Sequence, residues 1–153
     1  MIQRIQSLYL LLSTICSVYC LSNGIGHFYN EEGERLADMY NLWLTSVADG
    51  THNFYPFALF VLLLITATLS LLSIFLFTRR ALQMRVTSFC MILLVGWYIT
   101  YGVFAYLLCG NMEAQFRPHW VVVLPAVSLI LQYLAFRGIM KDEMLVRSLD
   151  RLR

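Results

Sequence analysis

Charge is scarce in this chain, and where it is missing it is missing in blocks. Lys, Arg, Asp and Glu make up 13% of the 153 residues, against about a quarter in soluble domains. Residues 8–21, 56–77, 86–109 and 120–136 contain none of these four and no His. Apolar residues rise to 59%, and mean hydropathy to +0.68. That pattern excludes an ordinary soluble enzyme, a nucleic-acid module and a disordered segment. Catalytic signatures are missing too. There is no Gly-rich phosphate loop, no Ser/His/Asp order pointing to a hydrolase and no HxxxH or HExxH spacing. The four cysteines fit no zinc or haem pattern. Internal repeats, low-complexity tracts and a separate soluble domain are likewise absent. No cofactor is expected.

What is present is enough apolar length to cross a bilayer four times. A spanning helix needs roughly 20 apolar residues, and spans are expected over about 5–22, 54–77, 86–109 and 119–137. The first follows a basic start, as a signal peptide would, but Ser17-Val18-Tyr19-Cys20-Leu21-Ser22 offers no small-x-small cleavage site. A retained helix is expected. The cations then orient the chain. With both termini inside, inner segments hold Arg4, Arg79, Arg80, Arg85, Arg137, Lys141, Arg147, Arg151 and Arg153, and the outer loops only Arg35 and Arg117. This is a positive-inside distribution. Acids run the other way, with Glu31, Glu32, Glu34, Asp38, Asp49 and Glu113 outside. The inner cations read as topology signals and contacts to anionic lipid, not as a nucleic-acid surface.

The expected fold is all-α, a four-helix transmembrane bundle with a small β-containing extracytoplasmic loop between helices 1 and 2. That loop, 23–53, carries turn signals at Asn30-Glu31-Glu32-Gly33 and Ala48-Asp49-Gly50-Thr51. An antiparallel sheet between them is favoured over a short interfacial helix through 34–47. The second outer loop, 110–119, is short and ends in Pro118, which suits a helix start.

Within the spans, small and hydroxyl residues are candidate helix contacts. Thr66 and Ser70 in the second span, Thr100 in the third, and Ser128 and Gln132 in the fourth are candidate intramembrane polar contacts. Gly96 and Thr100 make a small-xxx-small pair, and Pro125 suggests a kink. A polar pathway through the bundle is the rival reading. It is disfavoured because ion and proton routes usually leave an ionisable group inside the membrane. Trp97 and Tyr98 fall near mid-membrane and need partners, for which Thr66, Thr68 or Gln132 are available. A lipid or quinone groove is the sharper reading there, and aromatic packing the plainer one. His27, His52 and His119 with Glu113 could surround a metal, but their spacing presets nothing, and interfacial residues are the better description. Cys20 and Cys109 both approach the outer surface, where a bridge competes with buried thiols. Residues 138–153 read as an amphipathic helix with Ile139, Leu145, Val146, Leu149 and Leu152 on one stripe, a contact surface for a membrane or a partner.

Both ends of the chain, Met1-Ile2-Gln3-Arg4-Ile5-Gln6-Ser7-Leu8-Tyr9-Leu10-Leu11-Leu12 and Lys141-Asp142-Glu143-Met144-Leu145-Val146-Arg147-Ser148-Leu149-Asp150-Arg151-Leu152-Arg153, resemble a family of small four-span membrane proteins of Bacteroidetes-type Gram-negative bacteria, catalogued as domain of unknown function 4293. The resemblance implies a bacterial inner-membrane protein with cytoplasmic termini. It carries over no catalytic or ligand residue. The stretch Asn41-Leu42-Trp43-Leu44 resembles the Trp motif of claudins, four-helix proteins with a sheet in the first outer loop, though this loop lacks their two cysteines. The two terminal motifs meet on the inner face in the expected topology. Gln3, Arg4, Gln6, Asp142, Glu143, Arg147, Asp150 and Arg151 therefore form a candidate interaction cluster. The functional expectation is a non-catalytic accessory or scaffolding subunit that binds membrane lipids and another membrane protein or itself. A small channel or transporter, and a lipid- or quinone-active enzyme, are the alternatives.

Overall fold

The computed structural model describes residues 2–76 and 79–150; within these, the side chains of residues 2–4, 147, 149 and 150 are left aside. The element order is α1 (Ile2–Ser22), β1 (Gly24–Tyr29), β2 (Arg35–Tyr40), β3 (Leu44–Ser46), β4 (His52–Asn53), α2 (Phe57–Phe75), α3 (Arg80–Met112), β5 (Gln115–Pro118), a 3-10 turn (Trp120–Val122) and α4 (Val123–Asp150). All four helices are long and apolar enough to cross a membrane.

The helices form a ring in which each packs on its sequence neighbours and α1 closes on α4. Local chemistry sets their ends. Asn23 donates from Nδ2 to the Tyr19 carbonyl at 2.8 Å and Ser22 from Oγ to that of Val18 at 3.1 Å, so side chains satisfy the last carbonyls of α1. Pro56 stands immediately before α2, where its missing N–H is no loss. α3 stops at Glu113, which adopts a left-handed φ of 49° while the Ala114 N–H closes on the Cys109 carbonyl at 3.2 Å. Helix α3 also begins six residues before the first charge-free position. Arg and Gln are good helix formers, and the length of a helix is not set by the length of its apolar run. Pro125 lies in the first turn of α4, where no helical hydrogen bond depends on its nitrogen. The expected kink therefore has no cause there.

The turn signals of the 23–53 loop are the hairpin turns of a sheet. Gly33 at φ 83° and Gly50 at φ 62° supply the left-handed positions. The Asn30 side chain accepts the Glu34 N–H at 2.9 Å. The segment offered as an interfacial helix is instead β2, a tight turn and β3, with Ala37, Met39 and Leu44 pointing into the core. One expectation needs correction. The sheet has five strands in the order β4-β3-β2-β1-β5, all antiparallel, and β5 comes from the loop between α3 and α4. His27 pairs with Arg117 and Phe28 with Phe116 in that ladder. The sheet thus joins both loops at one end of the bundle. Ile25, Phe28, Met39 and Leu44 pack there with Cys20, Leu59, Leu63, Leu94, Trp97 and Leu108 in one core.

Candidate functional site

The cluster expected at the termini end forms in part. Gln6 donates from Nε2 to Asp142 Oδ2 at 2.9 Å, and both side chains are buried. Gly138 permits this approach, since a Cβ there would lie 3.0 Å from Gln6 Cγ. Arg80 of α3, which the sequence offers only as an orienting cation and not as a member of the cluster, donates from Nη1 to the Asp142 carbonyl at 3.2 Å. Three helices are therefore fastened around Asp142. Glu143 stands next to it, half-buried. Arg151, and the side chains of Gln3, Arg4, Arg147 and Asp150, lie outside the described residues. Beyond Asp142, Met144, Leu145 and Val146 are exposed, and a hollow of about 490 Å³ is lined by Gly138, Lys141, Asp142, Met144 and Leu145.

The intramembrane candidates separate into two groups. Ser128 and Gln132 belong to a buried seam between α4 and α1. Gln132 Nε2 donates to Ser13 Oγ at 3.1 Å, Ser128 Oγ to the Ser13 carbonyl at 3.1 Å, and the Ser17 and Ser128 hydroxyls are 3.4 Å apart. Ser13 and Ser17 were not singled out from the sequence, although small polar residues at i, i+4 were the available signal. Ser70 reaches across from α2 to the Leu10 carbonyl at 3.2 Å. Thr66 and Thr100 bond backward to the Leu62 and Gly96 carbonyls of their own helices at 2.8 Å each. Nothing lies within 4 Å of a Cβ placed on Gly96 or Gly102. These positions of α3 therefore do not form the close helix contact suggested by Gly96 and Thr100. A second seam joins α2 and α3, where Gln83 Nε2 donates to the Ser73 carbonyl at 3.0 Å and the Ser73 and Thr87 hydroxyls meet at 3.4 Å.

The mid-helix aromatics find partners other than those expected. Trp97 Nε1 donates to Asn41 Oδ1 at 3.1 Å, and Asn41 Nδ2 donates to the Cys20 carbonyl at 2.7 Å. Tyr101 donates to the Ile25 carbonyl at 3.0 Å and Tyr98 to that of Val122 at 2.6 Å. Trp97 stacks on Tyr101 with centroids 5.3 Å apart. These rings weld the sheet to the bundle. All four cysteines are free.

On the sheet, His27 Nδ1 lies 2.7 Å from Asp38 Oδ1 and Arg35 Nε 3.3 Å from the same oxygen. A hydrogen bond with Tyr29, and then the charge of Asp38, hold the Arg35 guanidinium more firmly protonated. His119 meets His27 edge-on at 5.7 Å, while His52 is bonded to Thr45 at 3.1 Å on the far side. Among the described residues no three His, Cys, Asp or Glu side chains are placed to hold a metal ion.

A family model described as Domain of unknown function (DUF4293) matches residues 2–152. The chain belongs to that family. No curated protein matches it. The DUF4293 match runs through all four helices and every strand, including β5 and the apolar end of α4. The sheet and the Asp142 junction therefore both lie within the DUF4293 region.

Proposed function

We propose that the chain is a non-catalytic accessory or scaffolding subunit of the inner membrane of Bacteroidetes-type bacteria, with both termini cytoplasmic and the sheet outside. The bundle supports a membrane location through its inverted surface. Ser13, Ser17, Ser70, Ser73, Ser128 and Gln132 are buried, while Ile92 and Ile99 of α3 are 66% and 64% exposed. Apolar side chains facing outward from a polar-seamed interior suit lipid as the solvent. Nine of the eleven Lys and Arg residues belong to the segments at the termini end, which favours that end as cytoplasmic.

The observation that carries the scaffold reading is a contrast. Buried polar side chains fasten helix to helix or sheet to helix, whereas Met140, Met144, Leu145 and Val146 at the end of α4 stay uncovered. An exposed apolar helix end of that kind suits a partner protein's helix. The test is purification of the full chain from its native membrane in mild detergent, with mass analysis and proteomics. The expected result is a second protein in stoichiometric amount, lost from Leu145→Glu. A homogeneous particle of this chain alone would overturn the reading.

A further inference from the structure

Another surface carries chemistry of a different kind. A groove of about 590 Å³ runs between α3 and α4 on the outside of the bundle, lined by Ala81, Met84, Arg85, Ser88, Phe89 and Ile92 of α3 with Phe136 of α4 opposite. The α3 positions recur at three- and four-residue intervals and so form one stripe along the helix. The stripe is graded. Its upper part, Phe89 and Ile92, is apolar and faces outward, and its lower part holds Arg85 and Ser88.

Two observations mark the lower part as more than a lipid-facing crease. Arg85 is exposed and has no carboxylate or hydrogen-bond partner among the described residues. Ser88 also lacks a hydrogen-bond partner among them, although the other described helix Ser and Thr hydroxyls, Ser7 aside, bond to a carbonyl or to a neighbouring side chain. A second cation stands at the same depth. Arg80 meets Asp142 across the antiparallel pair α3/α4, so five residues up α3 and five back along α4 bring Arg85 level with Arg137 at equal rise per residue. Arg137 is exposed and directly follows Phe136.

We infer that this groove binds an anionic phospholipid of the surrounding bilayer. The phosphate sits against the Arg85 guanidinium and the Ser88 hydroxyl, Arg137 adds charge at the same level, and an acyl chain lies along Phe89, Ile92 and Phe136. An unpaired guanidinium and a free hydroxyl above an apolar channel complement a negative headgroup on a hydrocarbon tail. A zwitterionic headgroup brings its own ammonium to the two arginines and is disfavoured.

The inference rests on the membrane-spanning reading above. Its test is native mass spectrometry of the full chain in neutral detergent, titrated with phosphatidylglycerol or with phosphatidylcholine of the same acyl chains. Phosphatidylglycerol is expected to bind about tenfold more tightly. Arg85→Gln should bring the two lipids to within about twofold of each other. Ser88→Phe, which keeps the charge and fills the groove, should weaken both. Lys141→Gln removes the same charge at the same end but outside the groove, and should leave the preference intact. Equal retention of the two lipids, or equal loss from Lys141→Gln and Arg85→Gln, would overturn the lipid site while leaving the scaffold reading standing. A chain recovered from the soluble fraction would overturn both.

Discussion

Gly26 shows how a single missing Cβ lets the sheet close. It sits in β1 opposite Pro118 of β5, and a Cβ there would run into the Phe116 ring. That ring is half-buried and packs on Phe28 at 4.8 Å and Tyr101 at 5.8 Å, so swinging it aside would break both contacts. Gly26→Ala is therefore expected to lose about 1–3 kcal/mol of stability through overpacking, read as a lower melting point in detergent. Adding Phe116→Leu should recover part of the loss, and a single variant melting like the parent would show that the ring is not confined. At this scale the sequence was only half legible. In Asn41-Leu42-Trp43-Leu44 the tryptophan is the conspicuous residue, yet Trp43 is only half-buried while Asn41 is buried completely and joins α1 to α3. An Asn in a turn-rich loop is ordinary composition. Only the fold brings Trp97, 56 positions away, to its oxygen.

The α1–α4 seam separates closeness from hydrogen bonding as the source of helix association. Ser128 has no exposed surface and touches Ser13 and Ser17, so the helices meet through small side chains. In lipid such hydrogen bonds average about 0.6 kcal/mol, whereas a side chain too large for a packed contact costs about 1–3 kcal/mol. Ser128→Ala should accordingly unfold almost like the parent when the detergent-solubilised protein is titrated with dodecyl sulfate, and Ser128→Leu should unfold much earlier. The reverse order would make the hydroxyls the main tie. Helices as elements were legible because about 20 apolar residues in a row have few other solutions. The β1–β2 and β3–β4 hairpins were legible because their turns at 30–33 and 48–51 are signalled, whereas the tight turn at 41–43 between β2 and β3 carries no such signal. Strand β5 was not, for a physical reason. Only Phe116 of its four residues turns inward, so no alternation appears in the sequence, and the strand exists because β1 offers it an open edge.

Across the whole molecule the helices are longer than the hydrocarbon they suit. At 1.5 Å per residue, the 33 residues of α3 and 28 of α4 reach about 50 and 42 Å, against a core of about 30 Å. Their surplus gathers at the end where Arg80, Arg85, Arg137 and Lys141 stand, opposite the sheet with Glu31, Glu32, Glu34 and Asp49 on its turns. One protein therefore presents a basic helical end and an acidic sheet end, and a net charge of +2 conceals both. Charge counting recovers this polarity from the sequence, but it could not show that the sheet is sewn to both loops. That second attachment has a consequence for topology. With β1 and β5 paired, 24–29 and 115–118 must lie on the same side of the bilayer, so α1 and α4 cannot invert independently. A membrane-impermeant maleimide added to intact spheroplasts should modify Glu32→Cys, which is exposed on the first hairpin turn, and should modify Arg79→Cys only after lysis. The native thiols give the blank. The opposite pattern would turn the whole molecule over and move the Arg85 groove to the outer leaflet. Labelling of both positions before lysis would break the pairing of the charge count with a four-span bundle.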